Sequence, residues 1–181
     1  MVQLGAAASF AETRVEPFGA WYREHFREVF LQCLRYAGGD AAWAEDVAHD
    51  VFVKLLEHQH EIDDPARVGG WLYRVAANTA ISRLRRRRSW LAWLGDAFDS
   101  EREGAPSPAE LLDERRRGAA ALALLERLPP AERVVLCMKL LEGRSQKEIA
   151  EALGRSEGHV SKLVTRALKR VREAGWEVDD G

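Results

Sequence analysis

Arg155, His159, Lys162, Arg166 and Lys169 recur at steps of three and four residues. On a helix that spacing puts all five on one face. The chemistry available to such a face is recognition of a polyanion: positive charge and hydrogen-bond donors meet phosphates and base edges. A second constellation joins Trp71, Arg74, Asn78 and Arg85. An aromatic ring, an amide and guanidiniums together suit splayed single-stranded bases, which stack on rings and hydrogen-bond to amides. The bland reading puts Trp71 and Tyr73 in a core. A third set, Glu45, Asp46, His49 and Asp50, is an acidic face, which in most proteins is simply solvated. Bond-making chemistry is not visible. No nucleophile–base set and no phosphate loop stand out. His58 and His60, close to Glu61, are two residues apart and diverge on a helix, and Cys33 and Cys137 lack paired ligand spacing. Neither an enzyme, a metal site nor a cofactor is expected.

The elements that must position the basic face run from Ser145 to Arg172. Gln146 to Ala152 reads as a first helix with Ile149, Ala150 and Leu153 inward. Ala150 is small where two helices cross closely. Gly154 supplies the turn, because a positive φ is cheap only for glycine. Ser156 is placed to cap the second helix. Val160, Leu163, Val164, Ala167, Leu168 and Val171 then form a core stripe opposite the basic face. This is the layout of a helix-turn-helix at about 145–166, whose second helix enters a DNA major groove. Ser156, Glu157, His159 and Lys162 lie at its leading end, with His159 and Lys162 as base-edge candidates. Arg155, Arg166 and Lys169 are mainly phosphate contacts.

The rest of the chain reads as helix too. Trp21, Phe26, Val29, Phe30 and Leu34 make one stripe, stopped by Gly38-Gly39. Asp40 is a plausible N-cap for a helix to His60, with Ala44, Val47, Ala48, Val51, Phe52, Leu55 and Leu56 inward. Asp63-Asp64-Pro65 breaks the chain, and helicity resumes near Gly70 with Leu72, Val75, Ala76 and Thr79 on one side. Pro129-Pro130 opens a helix followed by Gly143. The reading is all-α: two small helical domains, 17–90 and 117–177, joined by a flexible acidic linker over 91–116 that is rich in Gly and Pro. Residues 1–16 are small and polar, and are expected to be mobile.

Total charge does not announce a nucleic-acid partner, since it is −2. Its distribution does. Six basic residues against one acid lie between Arg155 and Arg172, Arg83 and Arg85 to Arg88 form a second block, and acids gather between the blocks. The apolar share of 46% is that of a globular protein. Cys33 and Cys137 sit in apolar helical sequence and read as buried thiols in a reducing compartment. No signal pattern and no membrane-length apolar run is visible, so a cytoplasmic location is expected.

With these motifs in order, the chain resembles the extracytoplasmic-function class of bacterial RNA polymerase sigma factors, over Phe18 to Arg88 and Arg117 to Arg172. AEDVAHDVFVKLL is similar to the family's segment for the clamp helices of the polymerase largest subunit. WLYRVAANTAISRLRRRR is similar to the segment that recognises and melts the minus-ten promoter element. The stretch from LERLPPAERVV to TRALKRVR is similar to the domain that reads the minus-thirty-five element. The resemblance implies that Glu45, Asp46, His49 and Asp50 contact core polymerase. It implies that Asn78 helps capture a flipped minus-ten base in a pocket built partly by the loop from Asp63 to Gly70. It also implies that the acidic linker threads towards the RNA exit path. The expected partners are core RNA polymerase (clamp helices and flap), promoter DNA and an anti-sigma factor, with a monomer when free. His49 stands where glutamine is more frequent and Ser82 where aspartate is common. VSKLV in the recognition helix is similar to the iron-uptake (FecI-like) subgroup. The alternative from another class is a stand-alone helix-turn-helix regulator with an N-terminal sensor domain, which co-purification with core polymerase would distinguish.

Overall fold

The computed structural model describes residues 5–95 and 114–176, and every element among them is helical. Helix α1 spans Gly5–Ala37, α2 Ala41–His58, α3 Val68–Gly95, α4 Glu114–Arg127, α5 Pro130–Leu140, α6 Gln146–Leu153 and α7 Glu157–Glu173. Two short 3-10 turns, Gln59–Glu61 and Pro65–Arg67, join α2 to α3. The segment expected to be a tail is in part helix, since α1 begins at Gly5. Both ends of the expected linker, 91–116, fall in helices, since α3 runs to Gly95 and α4 starts at Glu114; residues 96–113 lie outside the described residues.

Local signals explain the breaks. Gly38 and Gly39 take φ of +71° and +92°, which ends α1. Asp40 caps α2 by accepting from the Trp43 backbone N–H at 3.0 Å, and that bond holds its carboxyl below the usual range. Asp64 accepts from Ala66 N–H at 3.0 Å and seats the Pro65 turn. Pro130 occupies the first turn of α5, where no backbone donor is missed.

The N-terminal unit buries Val47, Val51, Phe52 and Leu55 of α2 against Val29 and Cys33 of α1 and Leu72 and Ala76 of α3. Leu56 departs from the expected stripe: it is 47% exposed. The C-terminal unit is built on Val134, Val135 and Met138 of α5, Ile149 and Leu153 of α6, and the predicted stripe of α7. Glu132 is buried too, and accepts from Arg170 Nε at 3.0 Å and lies 3.5 Å from Arg166 Nε, tying α5 to α7.

The two units share a core. Tyr36, Ala77, Ala80 and Leu84 belong to the same apolar cluster as α5, α6 and α7. Helix α3 therefore has two buried faces, and its alanines 76, 77 and 80 let neighbours approach from both sides. Cys33 and Cys137 are buried free thiols, and burial pushes each up to about 12. At neutral pH neither is a thiolate, so a colorimetric thiol assay of the native protein should show almost no fast-reacting cysteine, and both should react after denaturation.

Candidate nucleic-acid interface

The basic face of α7 is set by the turn before it. Ser145 caps α6 by accepting from Glu148 N–H at 3.2 Å, while the Glu148 carboxylate accepts from Ser145 N–H at 2.9 Å. This reciprocal cap pulls the Glu148 carboxyl down, its largest cause being the Ser145 backbone donor. Gly154 ends α6 at φ +63°, in the left-handed region. Ser156 caps α7 through His159 N–H at 3.3 Å. Val160, Leu163, Val164, Ala167, Leu168 and Val171 are all buried, as their spacing requires. Arg155, Ser156, Glu157, His159, Lys162, Arg166 and Lys169 are all exposed on the other side. Two of the cations are engaged within the protein: Arg166 with Glu132, and Lys169 with Glu173 at 3.7 Å.

Helix α3 brings Trp71, Arg74 and Asn78 to one groove of about 320 Å³, which also takes in Lys54, His58, Thr79 and Ser82. Arg85, seven residues beyond Asn78, is exposed outside that lining. Trp71 is half-buried with the His58 ring 6.4 Å from its own, so it is partly core and partly open to the groove. Asn78 is exposed, and its amide donates to Arg74 O at 3.0 Å and Ala152 O at 3.3 Å. Lys54 was missed by sequence reasoning. It donates to Thr79 Oγ1 at 2.8 Å and adds a cation to the groove that Asn78 lines. Its position on the half-buried edge of α2 was the available signal. The loop from Asp63 to Gly70 borders a larger cavity of about 820 Å³, shared with Trp71, Arg74 and, from the C-terminal unit, Arg144, Glu148, Glu151 and Ala152. Tyr73, expected in the core, is half-buried and faces that second unit.

On α2, Glu45, Asp46 and His49 are exposed. The His49 ring lies 5.6 Å from that of Phe26, and Asp50 is half-buried in an ion pair with Arg83. Val53 is 55% exposed and continues the Asp46–His49 face together with Leu56. The face is thus acidic at one end and apolar at the other. His58 bonds the Glu61 carboxylate at 2.9 Å and lowers its pKa. No group of three or more metal-ligating side chains occurs among the described residues.

Comparison with known proteins places this geometry. Residues 21–90 match the model of sigma-70 region 2, and residues 124–173 match that of sigma-70 region 4. The ECF RNA polymerase sigma factor SigL of Mycobacterium tuberculosis is 31% identical over 93% of this chain and 92% of its own length. The chain belongs to the ECF sigma factors. Another relative of this sigma factor, SigE of Mycolicibacterium smegmatis, is 28% identical over 83% of the chain, which spans only 58% of that protein's length. The fold is also that of a solved sigma factor, RpoE of Bartonella quintana in complex with the anti-sigma factor NepR, at a TM-score of 0.59 and 19% identity over 87% of this chain and 95% of that one. Region 2 of the sigma factor holds the α3 groove and the α2 face, and region 4 holds the helix-turn-helix. No described helix is long and apolar enough to cross a membrane.

Proposed function

We propose that this chain is a promoter-specificity subunit of bacterial RNA polymerase, acting in the cytoplasm and carrying no catalysis of its own. Residues 17–90 bind core enzyme through Glu45, Asp46, His49 and Asp50, and capture a minus-ten base through Trp71, Arg74, Asn78 and Arg85. Residues 117–177 read the minus-thirty-five element, with His159 and Lys162 at base edges and Arg155, Arg166 and Lys169 on phosphates. The observation that supports the reading is that two helical units of one chain carry two different exposed constellations, both of the residue types that bind nucleic acid. One is a helix-turn-helix shaped for duplex DNA, the other a ring–amide–cation groove shaped for an unpaired base. A protein partner that masks these surfaces, of the anti-sigma kind, belongs to the same proposal, as does a monomeric free state.

Two weak contacts held in one assembly bind far more tightly than either alone. Fluorescence anisotropy of a labelled promoter fragment should therefore give an affinity about a hundredfold or more higher for holoenzyme than for free protein. Equal affinities would sink the proposal.

A further inference from the structure

Glycine is the poorest helix former after proline, so a helical glycine calls for a reason. Two internal reasons are common: a positive φ, or a neighbour too close for a side chain. Gly158, in the first turn of α7, has neither. Its φ is not positive, and the turn before α7 is already made by Gly154 at φ +63°. A Cβ built on Gly158 would meet nothing within 4 Å. The glycine also loosens the turn that must present His159 and Lys162. Ser156 holds that turn, accepting from His159 N–H at 3.3 Å with its hydroxyl and from Val160 N–H at 3.1 Å with its carbonyl.

Open space alone does not single Gly158 out, because Gly19 and Gly118 are also helical with nothing within 4 Å. Its place does. Lys162 and Lys169 follow it at four and eleven residues, so Gly158 heads the line on which both lysines lie. Glu157, His159 and Lys162 are exposed around it, while Val160, Leu163 and Val164 bury the opposite side. The one residue of α7 without a side chain thus stands at the leading end of its open face, where a helix entering a groove meets base edges. A backbone without a Cβ can lie against another molecule at distances that a side chain forbids. We infer that Gly158 is the seat of α7 on DNA: the point where the helix backbone itself touches the duplex, and whose missing side chain sets how deeply His159 and Lys162 reach.

The inference rests on the reading of α7 as a DNA-reading helix and on nothing proposed for polymerase. A methyl group at this position pushes the leading turn outwards. His159 and Lys162 withdraw with it, so both lose reach at once. The same methyl strengthens the free helix, because it removes a glycine and displaces no neighbour. Fold stability and DNA affinity therefore move in opposite directions. A glycine needed by the fold would lower both when replaced, and a merely solvated one would leave affinity alone.

The test compares the full-length protein with Gly158→Ala, Gly158→Leu and, as a control for helix propensity, Gly19→Ala. Duplexes that the wild type retains are first selected at low salt from a random-sequence pool. Fluorescence anisotropy then reads the affinity of each variant for them. Gly158→Ala should melt about 1–4 °C higher than the wild type and bind about tenfold more weakly, the worth of one base contact. Gly158→Leu also brings a good helix former, so it should stay folded, and it should bind about a hundredfold more weakly as both reading residues lose reach. Gly19→Ala should leave affinity unchanged. Gly158→Leu with native circular dichroism and an affinity within about twofold of wild type would overturn the seat. A lower melting temperature in Gly158→Ala would overturn it too, by assigning the glycine to the fold. If the wild type retains no duplex, the reading of α7 falls and the seat with it. If it binds duplex and fails to bind core polymerase, the proposed function falls and the seat stands.

Discussion

Asn78→Ala is expected to slow promoter opening by the holoenzyme about ten- to a hundredfold, and to leave closed-complex affinity within about twofold. Extruding a base costs a few kcal/mol of lost stacking and pairing, which the capturing pocket must offset. Each tenfold in rate corresponds to about 1.4 kcal/mol, so loss of one well-placed amide accounts for the range. The fold should not suffer. Asn78 is exposed, among the described residues bonds only to the backbone carbonyls of Arg74 and Ala152, and sits mid-helix where alanine is the better helix former. Arg74 and Lys54 would still line the groove with positive charge. The measurement is permanganate footprinting of unpaired thymines over time, alongside a closed-complex assay at low temperature. An equal loss in both would mean that Asn78 merely helps attach the protein to duplex DNA.

That separation of roles follows from how the units are put together, and the sequence shows only part of it. The helix-turn-helix was legible down to single residues, because what makes it is local. Gly154 turns the chain, Ser156 caps the next helix, and one stripe faces inward within 28 residues. The N-terminal stripes were legible for the same reason. Leu56 was not, since periodicity cannot distinguish an apolar residue facing a core from one left outside for a partner. Ala77 and Ala80 gave no signal either. Small side chains carry little pattern, and the surface they bury against lies more than 40 residues away on α5 and beyond. Nothing in the local pattern marks Glu132, Arg133 and Glu142 as enclosed; only tertiary packing encloses them. The FecI-like likeness rests on VSKLV alone, and the relatives named above carry other names.

Replacing His159 and Lys162 together by alanine should lower discrimination between a matched and a mismatched minus-thirty-five element about ten- to a hundredfold, and leave core-polymerase binding intact. A good base contact is worth about 1–3 kcal/mol of discrimination. Both side chains stand on the leading turns of α7, whose position is fixed from behind by buried Val160, Leu163 and Val164 and at its start by Ser156. The phosphate candidates should behave differently, and unequally. Lys169→Ala should reduce the slope of log affinity against log salt by about one, with the same loss on every sequence. Its partner Glu173 is itself exposed at 3.7 Å, and such a pair holds an ammonium only weakly. Arg166→Ala should change the slope less. Its guanidinium is drawn to the buried Glu132 carboxylate, which it shares with Arg170, so only part of its charge is free to neutralise a phosphate. Salt titrations of holoenzyme on matched and mismatched promoter fragments check all three variants. If Lys169→Ala altered sequence preference while the His159 and Lys162 pair altered only the salt slope, the assignment of base edges to the leading turns of α7 would be reversed.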